Sequence, residues 1–176
     1  MRSCGARHLI TPEQYASAYF DEVDALYATI PAWPGTLPLL RALRARGFPL
    51  AIATSSPRPS FDKKMRHHAE ILALVDAVVT GDEVSRGKPA PDIFVEAARR
   101  LGCAPRRCVV FEDAPAGVQG AHDAGCASVA LPDRRMPANA SRLAALRPTW
   151  TLAGGIGDFP VDEIVRVPRS RSIRFV

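Results

Sequence analysis

RCVVFEDAPAGVQGAHDAGCASVAL, Arg107 to Leu131, is the stretch whose reading decides the fold. Its opening, Arg107 to Phe111, has Cys-Val-Val-Phe at the centre, the unbroken apolar run of a strand covered on both faces. Two acids, Glu112 and Asp113, end that strand. Pro115 suits the first turn of a helix, and Gly125 suits its stop, so a helix is expected over Pro115 to Ala124. A second apolar strand, Ser128 to Leu131, follows. Strand, helix and strand in so short a span make a βαβ unit, and βαβ units build parallel sheets with right-handed crossovers.

The same alternation extends in both directions. Helix Leu37 to Arg46 places Leu37, Leu40 and Leu43 on one side and stops at Gly47. Strand Phe48 to Ala53 is nearly all apolar, a helical stretch is expected over Pro59 to Leu74, and a short strand over Ala77 to Thr80. Helix Pro91 to Leu101 turns Phe94, Ala97, Ala98 and Leu101 inward. A helix near Ser141 to Arg147 and a strand near Trp150 to Leu152 complete the core. Ahead of it, Thr11-Pro12-Glu13-Gln14 has the form of a capping box. Tyr15, Tyr19, Val23, Leu26 and Ile30 then recur at helical spacing on one apolar face, and Pro31 and Pro34-Gly35 end that helix. The division expected is a helical segment over 1–32, an α/β core over 33–160 and a basic tail over 161–176.

Composition excludes several classes. Hydrophobic residues make up 47% of the 176 and charged residues 23%, as in soluble globular chains. No window approaches the roughly 20 apolar residues of a membrane span. Cys4, Cys103, Cys108 and Cys126 form no C-x-x-C pair, and no histidine stands at metal-ligand spacing from them, so reduced thiols in a cytoplasmic compartment are expected. Cys103 and Cys108 flank a loop and are read as two free thiols. The net charge is +5, and Arg166 to Val176 holds four arginines and no acid. A nucleic-acid surface interleaves aromatics with its basic residues. This tail has only Phe175, so a solvated end is expected and nucleic acid is not expected as a partner.

Ligands of an open parallel sheet bind beyond the carboxyl ends of its strands, so the polar residues just after each strand are the candidates. Thr54-Ser55-Ser56 can offer hydroxyls and successive backbone N–H groups to a phosphate oxygen, or can cap a helix. Lys88, in Arg86-Gly-Lys-Pro-Ala-Pro-Asp92, sits on a stiff loop where a fixed positive charge can meet a phosphoryl group. Glu112 and Asp113 suit a hard cation such as Mg²⁺, although Asp113 is also placed to cap the next helix. His67, His68 and His122 are read as surface or packing groups, and Trp33 and Trp150 as core or edge packing.

Hydroxyl cluster, lysine and acid pair, in this order, resemble the haloacid dehalogenase-like hydrolases. Within that superfamily the stretch is similar to the pseudouridine 5′-phosphatases and their close relatives. The matching text is Ala53-Thr-Ser-Ser56, Phe61-Asp62-Lys63, Arg66-His67, Gly87-Lys-Pro-Ala-Pro-Asp-Ile-Phe94 and Val110-Phe-Glu-Asp-Ala-Pro-Ala-Gly-Val118. The resemblance covers roughly Trp33 to Asp133. It implies a Rossmann-like parallel sheet flanked by helices, with a cap inserted after the first strand. It also implies Mg²⁺-dependent removal of phosphate from a small phosphorylated metabolite. Thr54, with Ser55 beside it, and Lys88 would bind the phosphate; Asp113 would be the Mg²⁺ ligand, with Glu112 beside it as a further ligand or as a support behind the ligands. Asp92 would cap its helix and take no catalytic part.

One part of the pattern is absent. The family carries Asp-x-Asp-Gly-Thr at the end of its first core strand, and the first Asp attacks phosphorus. No Asp-x-Asp precedes Thr54; Asp21 and Asp24 stand three apart on the expected first helix. The expectation is therefore a fold lacking its first core strand and most of its cap, with Thr11 to Ile30 as the last cap helix. The central strand position would be open and inclined to self-association, and the chain would be inactive. The alternative is a non-catalytic phosphate- or Mg²⁺-binding remnant that pairs with another chain.

Overall fold

The structure, a computed structural model, describes residues 11–27, 30–162 and 174–176. Five strands appear where alternation requires them: β1 (Ala51–Ala53), β2 (Ala77–Val79), β3 (Cys108–Glu112), β4 (Ala127–Ala130) and β5 (Trp150–Thr151). A sixth, β6 (Arg174–Phe175), lies at the carboxyl-terminal end of the described chain. All pairings are parallel. One ladder has the order β5-β4-β3-β6 and the other joins β1 to β2. A parallel bridge between Leu50 and Phe175 connects the two.

Helices cover both faces. α5 (Asp92–Arg100) and α6 (Pro115–Asp123) lie on one side, and α2 (Thr36–Ala45) lies on the other. β3 shows how the two cores form. Cys108 and Val110 turn toward Ile93, Phe94, Ala97 and Ala98 of α5, whereas Val109 turns toward Leu39 and Leu43 of α2. Side chains of a strand alternate between faces, so a run that must satisfy both is apolar throughout. α7 (Pro137–Ala145) adds Leu143 to a smaller cluster with Val118 and Ala130.

Several expectations change. The stretch Pro59 to Leu74 is two helices, α3 (Arg58–Met65) and α4 (Ala69–Leu72), broken at 66–68. α1 (Pro12–Tyr27) forms, and Thr11 and Gln14 exchange their capping-box bonds at 2.8 and 3.2 Å. Its apolar face is not buried, however: Tyr15, Tyr19 and Leu26 are more than half exposed. Periodicity marks an apolar stripe but not what covers it.

The largest correction concerns the tail. Arg174 to Val176 is not a solvated end, and the central position is not open: β6 occupies it, between β3 and the Leu50 edge of β1. Phe175 is 3% exposed. The reason is aromatic packing. Its ring stands edge-on to Phe48 at 5.1 Å and to Phe159 at 6.0 Å, with Phe111 at 6.1 Å. Burying one such side chain contributes about 1.5–3 kcal/mol, enough to hold a short strand that also has backbone partners on both sides. The rest of the expected tail, 163–173, lies outside the described residues, as do Cys4 and the side chains of Asp21 and Asp24.

Candidate functional site

Three loops meet at the carboxyl ends of β1 and β3. The first follows β1. Thr54 N–H donates to the Val79 carbonyl at 3.0 Å, and Ser56 N–H donates to the Thr54 hydroxyl at 3.2 Å, which turns the chain sharply out of the sheet. Gly81 packs so close that an added Cβ would overlap the Ser55 carbonyl. Its N–H donates to the Ser56 carbonyl at 3.0 Å. The loops after β1 and β2 are therefore stitched together. Ser55 is exposed, and its hydroxyl has no partner among the described residues.

The second loop carries Lys88. Arg86 and Asp92 clasp its two ends, with Nε to Oδ1 at 3.1 Å and Nη2 to Oδ2 at 2.8 Å. Asp92 was expected to cap its helix. It stands instead in the first turn of α5 and holds Arg86, and that guanidinium keeps its carboxyl below the ordinary range. The clasp closes the loop over Phe94, whose ring centroid lies 4.9 Å from Lys88 Nζ. The ammonium donates to the Ala53 carbonyl at 3.2 Å and to the Glu112 carboxylate. One side chain thus bridges the ends of β1 and β3.

The third loop carries the acids. Glu112 is buried, and a Cβ on Gly117 would overlap its carboxylate. The glycine is what allows this side chain to lie flat under α6. Sequence spacing places Glu112 and Asp113 together as cation ligands, but the structure separates them. Glu112 is committed to Lys88, while Asp113 is exposed and has no side-chain partner among the described residues. Mg²⁺ is held by one or two carboxylates with water and substrate oxygens completing its shell, and this donor set meets that demand at its minimum. Among the described residues, no group of three or more His, Cys, Asp or Glu gathers around one point.

Two contributors escaped the sequence reading. Lys64 Nζ donates to the Ser56 hydroxyl at 2.8 Å and lies 4.9 Å from the Tyr27 ring, so a second cation reaches the first loop. The signal was its spacing from Phe61, the buried residue of α3. The other is Thr80, fully buried, whose N–H donates to Glu83 at 2.8 Å and whose hydroxyl donates to Asp82 at 2.6 Å and to Glu83 at 2.8 Å. These bonds, with Arg100, hold the Glu83 carboxyl down at about 2. The histidines and tryptophans take their packing roles: His68 meets the Ile30 carbonyl at 2.9 Å, His122 meets the Ser128 hydroxyl at 2.8 Å, and Trp150 packs on Phe159. A cavity of about 330 Å³ opens beside Glu112 and Asp113, walled by Trp33, Thr36, Phe111 and Ile156.

Residues 5–125 match the sequence profile of the haloacid dehalogenase-like hydrolases. The chain belongs to this family. Among curated relatives, (DL)-glycerol-3-phosphatase 1, mitochondrial, of Arabidopsis thaliana is 45% identical over 116 residues. The match spans 63% of this chain and 39% of that protein. The Drosophila melanogaster protein named "Probable pseudouridine-5'-phosphatase" is 40% identical over 129 residues, spanning 70% of this chain and 56% of that one. In three dimensions the fold superposes on a HAD family hydrolase from Deinococcus radiodurans R1, solved with bound phosphate and sodium. The TM-score is 0.69 at 28% identity, over 86% of this chain and 73% of that chain. The haloacid dehalogenase-like core is thus present, although the chain spans only 39% and 56% of the length of these two curated relatives. Among the described residues no helix is long and apolar enough to cross a membrane.

Proposed function

We propose that this chain carries the phosphate-gripping and Mg²⁺-binding part of a phosphomonoester hydrolase acting on a small phosphorylated metabolite, and that the chain by itself is catalytically silent. The observation that carries the reading is Lys88. Its ammonium is fixed between the ends of β1 and β3, where the chain continues into Thr54 and Ser55 after the one and Asp113 after the other. A fixed cation with hydroxyls and backbone N–H groups can hold phosphoryl oxygens without reorganising, which is the setting electrostatic stabilisation requires. Asp113 is the residue that would hold Mg²⁺, and the ion would neutralise charge on the phosphoryl oxygens.

Silence follows from the carboxylates at hand. Of the two acids that end β3, Glu112 is consumed by Lys88 and Asp113 is the metal candidate, so neither is left to attack phosphorus. Groups that act as a unit in covalent catalysis fail together when one is missing. The substrate class rests on likeness alone. Similarity to a pseudouridine-5′-phosphatase makes pseudouridine 5′-phosphate the first nucleotide to try, and similarity to a glycerol-3-phosphatase adds glycerol 3-phosphate. The test is release of inorganic phosphate from an aryl phosphate, with and without Mg²⁺. No turnover is expected, while inorganic phosphate should bind and be lost in Lys88→Met. Turnover that Asp113→Ala removes would overturn the silence, and phosphate binding indifferent to Lys88→Met would overturn the assignment of the site.

A further inference from the structure

Lys88 does not by itself make this site positive. Its ammonium donates to the Ala53 carbonyl at 3.2 Å and to the Glu112 carboxylate, so two of its three N–H donors are taken and its charge is balanced. Asp113 follows directly after β3, with its carboxylate exposed. One cation against two carboxylates repels an anion rather than drawing it in. Until a metal binds Asp113, a phosphoryl group needs positive charge from elsewhere.

Lys64 is placed to supply it. It lies in the last turn of α3, three residues after the buried Phe61, and therefore shares the inward face of that helix. Its Nζ donates to the Ser56 hydroxyl at 2.8 Å, and the half-buried side chain has the Tyr27 ring 4.9 Å away. Ser56 is held from two further directions. Its N–H donates to the Thr54 hydroxyl at 3.2 Å, and its carbonyl accepts the Gly81 N–H at 3.0 Å. The ammonium is thereby fixed one hydrogen bond from the Thr54-Ser55-Ser56 turn. The acids nearest to Lys64 in the chain are engaged elsewhere, Asp62 with Arg58 and Glu70 with Arg41. Among the described residues Lys64 has no carboxylate partner, and Ser56 occupies one of its three donors. Lys63, one place earlier, is exposed.

We propose that Lys64 is a second phosphate-binding cation of this site, and that its uncompensated charge, rather than that of Lys88, draws the phosphoryl dianion to the turn. Lys88 contributes its remaining donor and keeps the Glu112 carboxylate from repelling the ligand. The proposal rests on the phosphate reading above, and the variants below separate the two.

The experiment is calorimetric titration of inorganic phosphate into the full chain without Mg²⁺, at about 20 mM and about 500 mM salt. Lys64→Gln keeps a donor for Ser56 and removes the charge. It should weaken phosphate about tenfold at low salt and less than about threefold at high salt. Lys64→Arg, which restores the charge, should stay within about threefold of wild type at both. A loss in Lys64→Gln that salt does not change would overturn the proposal. Ser56→Ala leaves the ammonium in place and should cost less than Lys64→Gln; equal losses would reduce Lys64 to an anchor for Ser56. Lys63→Gln removes the same charge from an exposed position and should cost less than about twofold, because solvent and salt screen it. A loss there equal to that of Lys64→Gln would show a diffuse field and no second binding cation. A wild-type chain that fails to bind phosphate would sink the phosphate reading itself. Binding that Lys88→Met abolishes and Lys64→Gln leaves unchanged would sink this inference alone.

Discussion

Gly117→Ala should destabilise this protein, against the ordinary preference of helices for alanine. Gly117 is the third residue of α6, and helix propensity alone would favour Ala by about 1 kcal/mol. The new Cβ, however, would overlap the Glu112 carboxylate carbon and both oxygens. The carboxylate would have to leave Lys88, in a pair whose side chains are 12% and 9% exposed. Breaking a buried ion pair costs about 3–5 kcal/mol. Subtracting the propensity gain leaves a net loss of about 2–4 kcal/mol, or roughly 4–16 °C in Tm for a domain of this size. The assay is urea unfolding of wild type, Gly117→Ala, Glu112→Ala and the double variant. Once Glu112 is Ala, the overlapping atoms are gone, so Gly117→Ala should become neutral or stabilising by up to about 1 kcal/mol, giving a coupling of about 2–5 kcal/mol. Additive effects, or a stabilising Gly117→Ala in the wild-type background, would refute the account of why a glycine stands there.

Four further outcomes follow from the same contacts. Glu83 is held from the ordinary 4.5 down to about 2, chiefly by the Thr80 N–H, then by the Thr80 hydroxyl and Arg100. Its folded pKa is depressed, so its contribution to stability is complete above about pH 4.5 and is lost as pH falls through about 2; Thr80→Val should flatten urea midpoints across that window. Asp113→Asn should leave stability within about 0.5 kcal/mol, because the carboxylate is exposed, yet weaken Mg²⁺ titrated by calorimetry about tenfold. The Cys103 thiol is pushed up to about 12 by burial and by the Cys108 thiol 3.4 Å away, and Cys108 is raised too, so alkylation at pH 8 should be slow until urea unfolds the chain. Light scattering should give a monomer, since β6 fills the strand position through which self-association was expected; a dimer at micromolar concentration would argue otherwise.

The local part of the fold was legible because its physics is local. Apolar runs ending in Thr54 and in Glu112-Asp113 announce strands that deliver polar residues to one end of a parallel sheet, and Gly47 and Gly125 close their helices in the left-handed conformation expected of such stops. The gathering of Thr54, Lys88 and the acids was legible for the same reason. What each acid does was not. Adjacent carboxylates look equivalent in sequence, but strand alternation sends Glu112 inward to Lys88 and leaves Asp113 outside. The Arg86–Asp92 clasp was hidden similarly, since an acid in a first helical turn has a sufficient local explanation in the cap.

β6 fails the sequence test for a deeper reason. A strand is recognised by its own periodicity, and Arg174-Phe175 is too short to have one. Its stability is instead supplied by others: Phe48 and Pro49 just before β1, Val109 and Phe111 in β3, and Phe159 beyond β5. An Asp-x-Asp is the sequence mark by which a central strand would be recognised, but a sheet has no knowledge of sequence order. What it requires at its centre is a segment with free N–H and C=O groups on both edges and apolar side chains on both faces. Phe175-Val176 meets that requirement, and its basic neighbours, which read as the mark of a solvated end, do not prevent it. The charge of a segment therefore says less about its burial than the gap awaiting it.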